Sequence, residues 1–388
     1  MAVMSPHEMA FLAAEHARLQ TELTRRGLDT EAYPASLPAG LPNGTAAARA
    51  WPIQGILKYH GLANWGLRTA YLPSISVNND AACTLTVVQF DTTLLTDEVI
   101  INGTIPDEHA VERVRRTLDR VRALAGIQTR ARVTSANRTR ASRVGKGLGT
   151  SASASAALAM AAIAATLGPD LAMNRRFLSC LARLLAGSGC RSATGGLSLW
   201  LSHPGISHED SYSLRIDRQH QLRDLALITI PIDSRVGIVT EAAHREAPQS
   251  PFFVPWCKSR VDEALACIDA ALAGDWQTLG RWAELDSIRL HAVTMTGSLE
   301  NKLFAWEPEN ITLFRMCNDL RAAGIPVYAS TDTGPTVVLL TARAHARAVV
   351  AAVQALDLGL ETVEGAVAGP AELVSPEAAL AELESHTG

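Results

Sequence analysis

With 388 residues, 47% of them hydrophobic and 19% charged, the chain is long enough for two packed lobes around a sizeable core. Its formal charge of −4, from 35 basic and 39 acidic residues, lacks the strongly basic balance of a nucleic-acid binder. The six cysteines are scattered with no C-x-x-C pair, so they read as reduced thiols of a cytoplasmic protein rather than a disulfide framework or a zinc site. Neither a secretory signal nor a membrane partner is expected, since the apolar segment 156–167 is too short to span a bilayer.

The chain opens on Ser5-Pro6-His7-Glu8, a capping box with proline at the first helical position. Leu12, Leu19 and Leu23 then share one helical stripe, and Gly27 supplies a stop. Residues 1–45 read as an N-terminal helical extension outside the core fold, a surface-packing helix or the contact of a homodimer. Residues 50–90 mix Gly, Pro and Asn with apolar pieces. They include Ile56-Leu57-Lys58-Tyr59-His60-Gly61 and Leu72-Pro73-Ser74-Ile75-Ser76-Val77. Strands are predicted at 84–91 and 98–102, with a turn at Asn102-Gly103. Pro106 opens a helix carrying Val111, Val114, Leu118, Val121 and Leu124 on one side, and Gly126 ends it. Residues 127–137 return as a strand.

Gly147-Leu148-Gly149-Thr150-Ser151-Ala152-Ser153 comes next and runs into the helix-forming Ala156-Ala157-Leu158-Ala159-Met160. Such a run is a place to hold phosphate: unpaired N–H groups, a favourable helix dipole, and glycines that let the backbone come close. Hydroxyls of Thr150, Ser151 and Ser153 add candidate contacts to phosphate or Mg²⁺. The run lacks Walker A spacing, and taken alone it is equally well a small-residue helix packed on a sheet. A helix at 174–185 then leads to Ala186-Gly187-Ser188-Gly189-Cys190-Arg191-Ser192, where one arginine stands among glycines and hydroxyls before a strand at 197–201. In that setting a guanidinium can present its planar fork to carboxylate or phosphate with little obstruction, while the segment taken alone reads as a tight turn with a surface arginine. A lobe boundary is expected at 215–225, dividing residues 46–220 from residues 221–388. The second part begins with an apolar strand at 225–232 and Asp233-Ser234-Arg235, followed by helices near 255–273, 275–292 and 309–323. Ser330-Thr331-Asp332-Thr333-Gly334-Pro335 is a turn between two strands. A helix at 343–355, a strand at 359–364 and a short helix after Ser375-Pro376 close the chain.

The Gly-Leu-Gly-Thr-Ser-Ala run resembles the phosphate loop of the GHMP kinase superfamily. Lys58-Tyr59, the segment around Ser188 and Arg191, Ser234 with Gly237, and Asp332 before Gly-Pro resemble motifs of the mevalonate (di)phosphate decarboxylases. The resemblance implies the α+β two-lobed GHMP fold with a deep cleft between lobes, and ATP with Mg²⁺ as cofactors. It implies that residues 147–153 hold ATP, with Ser151 at Mg²⁺, and that Lys58, Tyr59, Ser188, Arg191 and Ser234 bind a small mevalonate ester. Asp332 and Arg191 are the implied catalytic residues. The chain departs from the family at His60 (tryptophan), Leu62 (lysine), Ala186 (serine) and the lysine-free approach to Ser234. Loss of cations disfavours a 5-diphosphate more than a 5-phosphate. The expected activity is therefore decarboxylation of mevalonate 5-phosphate to isopentenyl phosphate. Diphosphomevalonate decarboxylase, mevalonate 3-kinase and a non-catalytic binding or regulatory protein stay open as alternatives.

Overall fold

The computed structural model describes residues 4–28, 31–140, 150–235, 240–298, 300 and 302–385. Helix α1 (Pro6–Arg25) starts at its capping box: the Ser5 hydroxyl accepts the Glu8 N–H and the Glu8 carboxylate accepts the Ser5 N–H. Strands β1 (Gly44–Ala50), β2 (Ile53–Leu57), β3 (Leu62–Asn64), β4 (Thr69–Ala70), β5 (Ser74–Asn78), β6 (Ala82–Asp91) and β7 (Glu98–Ile101) follow. Helix α2 (Glu108–Ala125) is capped by the Asp107 side chain and ended by Gly126 in left-handed backbone. Strand β8 (Arg130–Thr139) leads to α3 (Thr150–Leu167), α4 (Pro169–Met173), α5 (Arg175–Ala182), α6 (Gly189–Thr194), β9 (Leu197–Trp200) and β10 (Ser213–Arg215). After them come β11 (Leu225–Ile230), α7 (Thr240–Glu246), α8 (Phe253–Leu272), α9 (Trp276–Thr296) and α10 (Pro308–Ala322). The chain finishes with β12 (Val327–Thr331), β13 (Val337–Ala342), α11 (Arg343–Ala355), β14 (Val363–Ala366), β15 (Glu372–Val374) and α12 (Pro376–Glu384).

Three sheets and a short ribbon carry these strands: β15-β1-β6-β8-β7, β10-β9-β5-β2, β12-β13-β11-β14, and β3-β4. All pairs are antiparallel except β7 with β8. Helix α3 lies against β1 and β6. It is long and apolar enough to cross a membrane by length and composition, which the segment 156–167 alone is not. However, 78% of it is buried inside the protein, so it is a core helix apolar on every side. Alanines and serines let neighbours approach it closely. At Gly189 of α6 a Cβ would stand 2.4 Å from the Ser155 Cβ, so only glycine permits the α3–α6 contact that sets Arg191 in place.

Two features differ from the sequence expectation. Helix α1 is not outside the core: Leu19 and Leu23 are buried in one apolar cluster with residues of β2, β5, β9, β11, β13, α8 and α9. Residues 221–388 also do not stay together. Strand β15 pairs with β1, and α12 packs against β1, β6 and β8, so the end of the chain returns to the first sheet. Residues at the end of β2 meet those of β12 and α9 directly, where the two parts of the chain join.

Candidate active site

Asp332 stands at the exit of β12 in the turn to β13. Its backbone is held from two sides. The carbonyl of Asp332 accepts the Nε2–H of His291 at 3.0 Å, and Asn310 donates to the carbonyl of Pro335 at 2.7 Å. Burial pushes His291 down to about 3, so it is neutral and Nε2 carries the proton it donates. The Trp306 ring lies 4.4 Å from that imidazole, and its Nε1–H donates to the Thr331 hydroxyl at 3.1 Å.

The carboxylate faces Lys58, which follows β2 directly. Lys58 is buried, and its Nζ donates to the carbonyl of Gly55 at 2.5 Å and to the Ser330 hydroxyl at 2.6 Å, with Asp332 Oδ1 at 3.3 Å. Burial pulls the ammonium pKa below its ordinary value, and Asp332 and Asp286 oppose that pull. Gln54 donates to Ser330 at 2.8 Å and reaches Asp332 Oδ1 at 3.5 Å. Gly55 belongs here because of space: a Cβ there would lie 2.7 Å from Lys58 Cδ and 2.8 Å from Asp332 Oδ1. The Asp332 side chain keeps 37% of its surface open, against 2% for Lys58. The carboxylate is thus the member of the pair that a ligand can reach.

Arg191 of α6 is 2% exposed, yet its Nε and Nη1 have no hydrogen-bond partner among the described residues. Its guanidinium sits 5.4 Å from the Tyr59 ring centroid. Burial lowers its pKa from the ordinary value, with nearby Tyr59 and Asp332 acting the other way, but a guanidinium stays charged. Tyr59 meets Trp200 edge-on and stacks on His244, with ring centroids 5.4 Å apart. His244 accepts the Gly61 N–H on Nδ1 at 3.0 Å and neighbours the buried His60 at 4.6 Å. Burial depresses both imidazoles, His60 to about 4.

Lys58, Tyr59, Ser151, Ala152, Ser188, Arg191, His244 and Asp332 line one cavity of about 130 Å³. Ser151 is shared with a second cavity of about 160 Å³ whose walls are mostly apolar, among them Ile101, Val114, Val133, Leu158 and Leu185, with Thr150 and Arg113 at its polar side. A larger hollow of about 710 Å³ on the outer face of α9 brings no comparable chemistry together.

The residues singled out in the sequence meet here with three exceptions. Gly147, Leu148 and Gly149 lie outside the described residues. Ser234 does not line the cavity; it stands beyond the end of β11, before residues 236–239, which are also outside the described ones. The Ser153 hydroxyl points inward, bonded to Thr84 Oγ1 at 2.6 Å and donating to the Thr150 carbonyl. Helical periodicity turns it to the sheet, leaving only its backbone for a ligand. Gln54, Ser330, His244 and the positioning role of His291 escaped the sequence reading. Alternation along β2 was the one available cue, since Gln54 is a polar residue in a fully buried strand.

Comparison with known proteins places this geometry. The sequence profile of the diphosphomevalonate decarboxylase-like N-terminal domain matches residues 50–213. The phosphomevalonate decarboxylase of Haloferax volcanii is 36% identical over 339 residues, covering 86% of this chain and 99% of that one. The chain belongs to the mevalonate (di)phosphate decarboxylase family. Solved structures of the family agree in fold. Mevalonate diphosphate decarboxylase from Enterococcus faecalis superposes with a TM-score of 0.77 at 28% identity, over 86% of this chain and 99% of its own. A structure described as MDDEF in complex with MVAPP, AMPPCP and magnesium gives 0.78 at 28% identity over the same shares. The two-lobed GHMP fold of this decarboxylase family is therefore the fold of this chain.

Proposed function

We propose that this protein is an ATP-dependent decarboxylase that converts mevalonate 5-phosphate to isopentenyl phosphate in the mevalonate route to isoprenoids. The observation that carries the reading is Arg191. A buried guanidinium with two orphan donors calls for an oxyanion, and it shares its cavity with the Lys58–Asp332 pair.

The residues present fit the nucleotide and its metal. The first-turn N–H groups of α3 suit phosphates, and the apolar second cavity suits a purine ring. No group of His, Cys, Asp and Glu among the described residues could hold a metal. Magnesium would be held by phosphate oxygens and the Ser151 hydroxyl. When bound, ATP-Mg²⁺ supplies the phosphoryl group for the 3-hydroxyl of the acid. Asp332 takes the proton of that hydroxyl, while Lys58, Gln54 and the His291-braced turn fix where its carboxylate stands. Arg191 holds the substrate carboxylate, with Tyr59 and Ser188 beside it. The C1–C2 bond then breaks, its electron pair becomes the new C2–C3 double bond, and the 3-phosphate leaves with the C3–O pair. Asp332, 37% exposed, passes the proton on to solvent, and positive charge building on C3 then meets its carboxylate.

The test is purified protein with ATP-Mg²⁺ and mevalonate, its 5-phosphate and its 5-diphosphate side by side, with ADP and CO₂ both measured. Both products should form, with the highest kcat/KM on the 5-phosphate. A better diphosphate overturns the substrate, and ADP without CO₂ overturns the decarboxylase. The 28% identical structural neighbours named for the diphosphate keep that substrate as the second reading. Cytoplasmic location accords with six free cysteines, five of them buried. A homodimer is testable by light scattering on dilution.

A further inference from the structure

Arg68 ends the turn that joins β3 to β4, in left-handed backbone at φ +53°, a conformation that residues other than glycine seldom adopt. Its side chain is only 7% exposed. Its Nη1 reaches Glu241 of α7 at 3.3 Å, while its Nε has no partner among the described residues. The turn is fixed from behind, because the buried Arg183 donates to the carbonyl of Leu67 at 2.8 Å. It is also fixed from the front. Ala70, two residues on, packs in one buried cluster with Tyr59, Cys190 and Trp200. Glu241 lies three residues before His244 on one face of α7, and His244 forms the cavity wall with Tyr59. Arg68 thus stands next to the Tyr59–His244 pair, near enough for its charge to act on both rings. Leu62, the position without the lysine, pairs with Ala70 across this same ribbon.

A buried cation with an open donor and a single carboxylate partner is an anion site held ready. We propose that Arg68 binds the 5-phosphate of the substrate, taking it in place of Glu241, and so sets the preference for a phosphorylated acid. This rests on the mevalonate 5-phosphate reading above. A phosphate offers the fork two oxygens and more charge than the carboxylate it replaces. Arg191 and Arg68 then divide the substrate between them, one at each end.

The experiment compares full-length wild type with Arg68→Gln and Glu241→Gln, using mevalonate 5-phosphate, unphosphorylated mevalonate (as substrate or competitor) and ATP, with melting curves as a folding control. For Arg68→Gln the KM for the 5-phosphate should rise roughly 10–100-fold, the range for losing a charged hydrogen-bond partner, with a much smaller fall in kcat. The preference for the 5-phosphate over mevalonate should shrink by the same factor. Glu241→Gln should lower the KM for the 5-phosphate. A stable Arg68→Gln with unchanged KM, or with equal losses for both acids, overturns the proposal. So does a rise in KM for ATP alone, which would give Arg68 to the nucleotide. If Arg68→Gln does not fold, Glu241→Gln decides, and an unchanged or raised KM refutes the exchange. Wild type that cannot use the 5-phosphate fails earlier, and it refutes the substrate reading rather than the role of Arg68 within it.

Discussion

Gly55→Ala is the smallest change that should disable the site without touching a charged group. The added Cβ would lie 2.7 Å from Lys58 Cδ, 2.8 Å from Asp332 Oδ1 and 3.3 Å from Lys58 Nζ. Ordinary contact begins at 3.4 Å, so the nearest two atoms must each give way by 0.6–0.7 Å. Lys58 cannot retreat freely, because its Nζ is fastened to the Gly55 carbonyl and Ser330 within a buried setting. The exposed Asp332 moves with least resistance, while the Lys58 stem must shift within its buried setting. Misplacing a reacting group by about 1 Å costs on the order of 10²-fold, so a shift of this size should lower kcat by roughly 10–100-fold. Overpacking should also destabilise the fold by about 1–3 kcal/mol. Steady-state kinetics on mevalonate 5-phosphate, with a urea melt of the same sample, reads both effects. A variant with wild-type kcat would refute the claim that the Lys58–Asp332 geometry governs turnover, whatever its melt shows.

Asp332→Asn should lower ADP and CO₂ formation together by roughly 10²–10⁴-fold; ADP that outlasts CO₂ would assign the carboxylate to the second half of the reaction alone. Arg191→Lys keeps the charge but not the fork, so kcat/KM for the acid should drop steeply while KM for ATP holds. Equal losses for both ligands would place Arg191 elsewhere. Stability should depend on pH through histidines whose folded pKa lies below the unfolded 6.5, to about 4 for His16 and His60 and about 3 for His291. Their stabilising share is complete above about pH 6.5 and is lost as pH falls toward 4, approaching about 1.4 kcal/mol per pH unit for each. Urea melts from pH 7.5 to 4.5 measure this, and His60→Phe, which keeps a buried ring without a titrating nitrogen, should flatten the slope.

Local signals made much of the fold legible. The Ser5 box, the Asp107–Gly126 helix and the alternation of β6 each state their structure within a few residues, because caps, turns and periodicity are local chemistry. What depends on distant partners was not legible. The stripe of α1 gave the helix, but nothing in it says that Leu19 would be buried in the cluster shared with β11 and β13. Strand β15 is three residues long, and its place beside β1 is a choice made by the whole sheet. Ser153 sits in the phosphate run by sequence, yet the turn of α3 commits its hydroxyl to Thr84.

The site divides along the same line. Arg191 and Asp332 stand out because each sits in an unusual local setting, glycines for one and a Gly-Pro turn for the other. Their supports come from far along the chain: Gln54 acts on a residue 278 positions away, and Lys58 on one 272 positions away. Charge counting by motif position sees only the local part of this. Leu62 reads as a lost cation when motifs are compared position by position, whereas the ribbon of β3 and β4 folds Arg68 back beside that strand. The number of cations near the substrate is a property of the folded surface. A cation moved six residues along the sequence can return to nearly the same place whenever a hairpin lies between the two positions. The role proposed for Arg68 would make substrate preference turn on where that charge ends and on its competitor, Glu241.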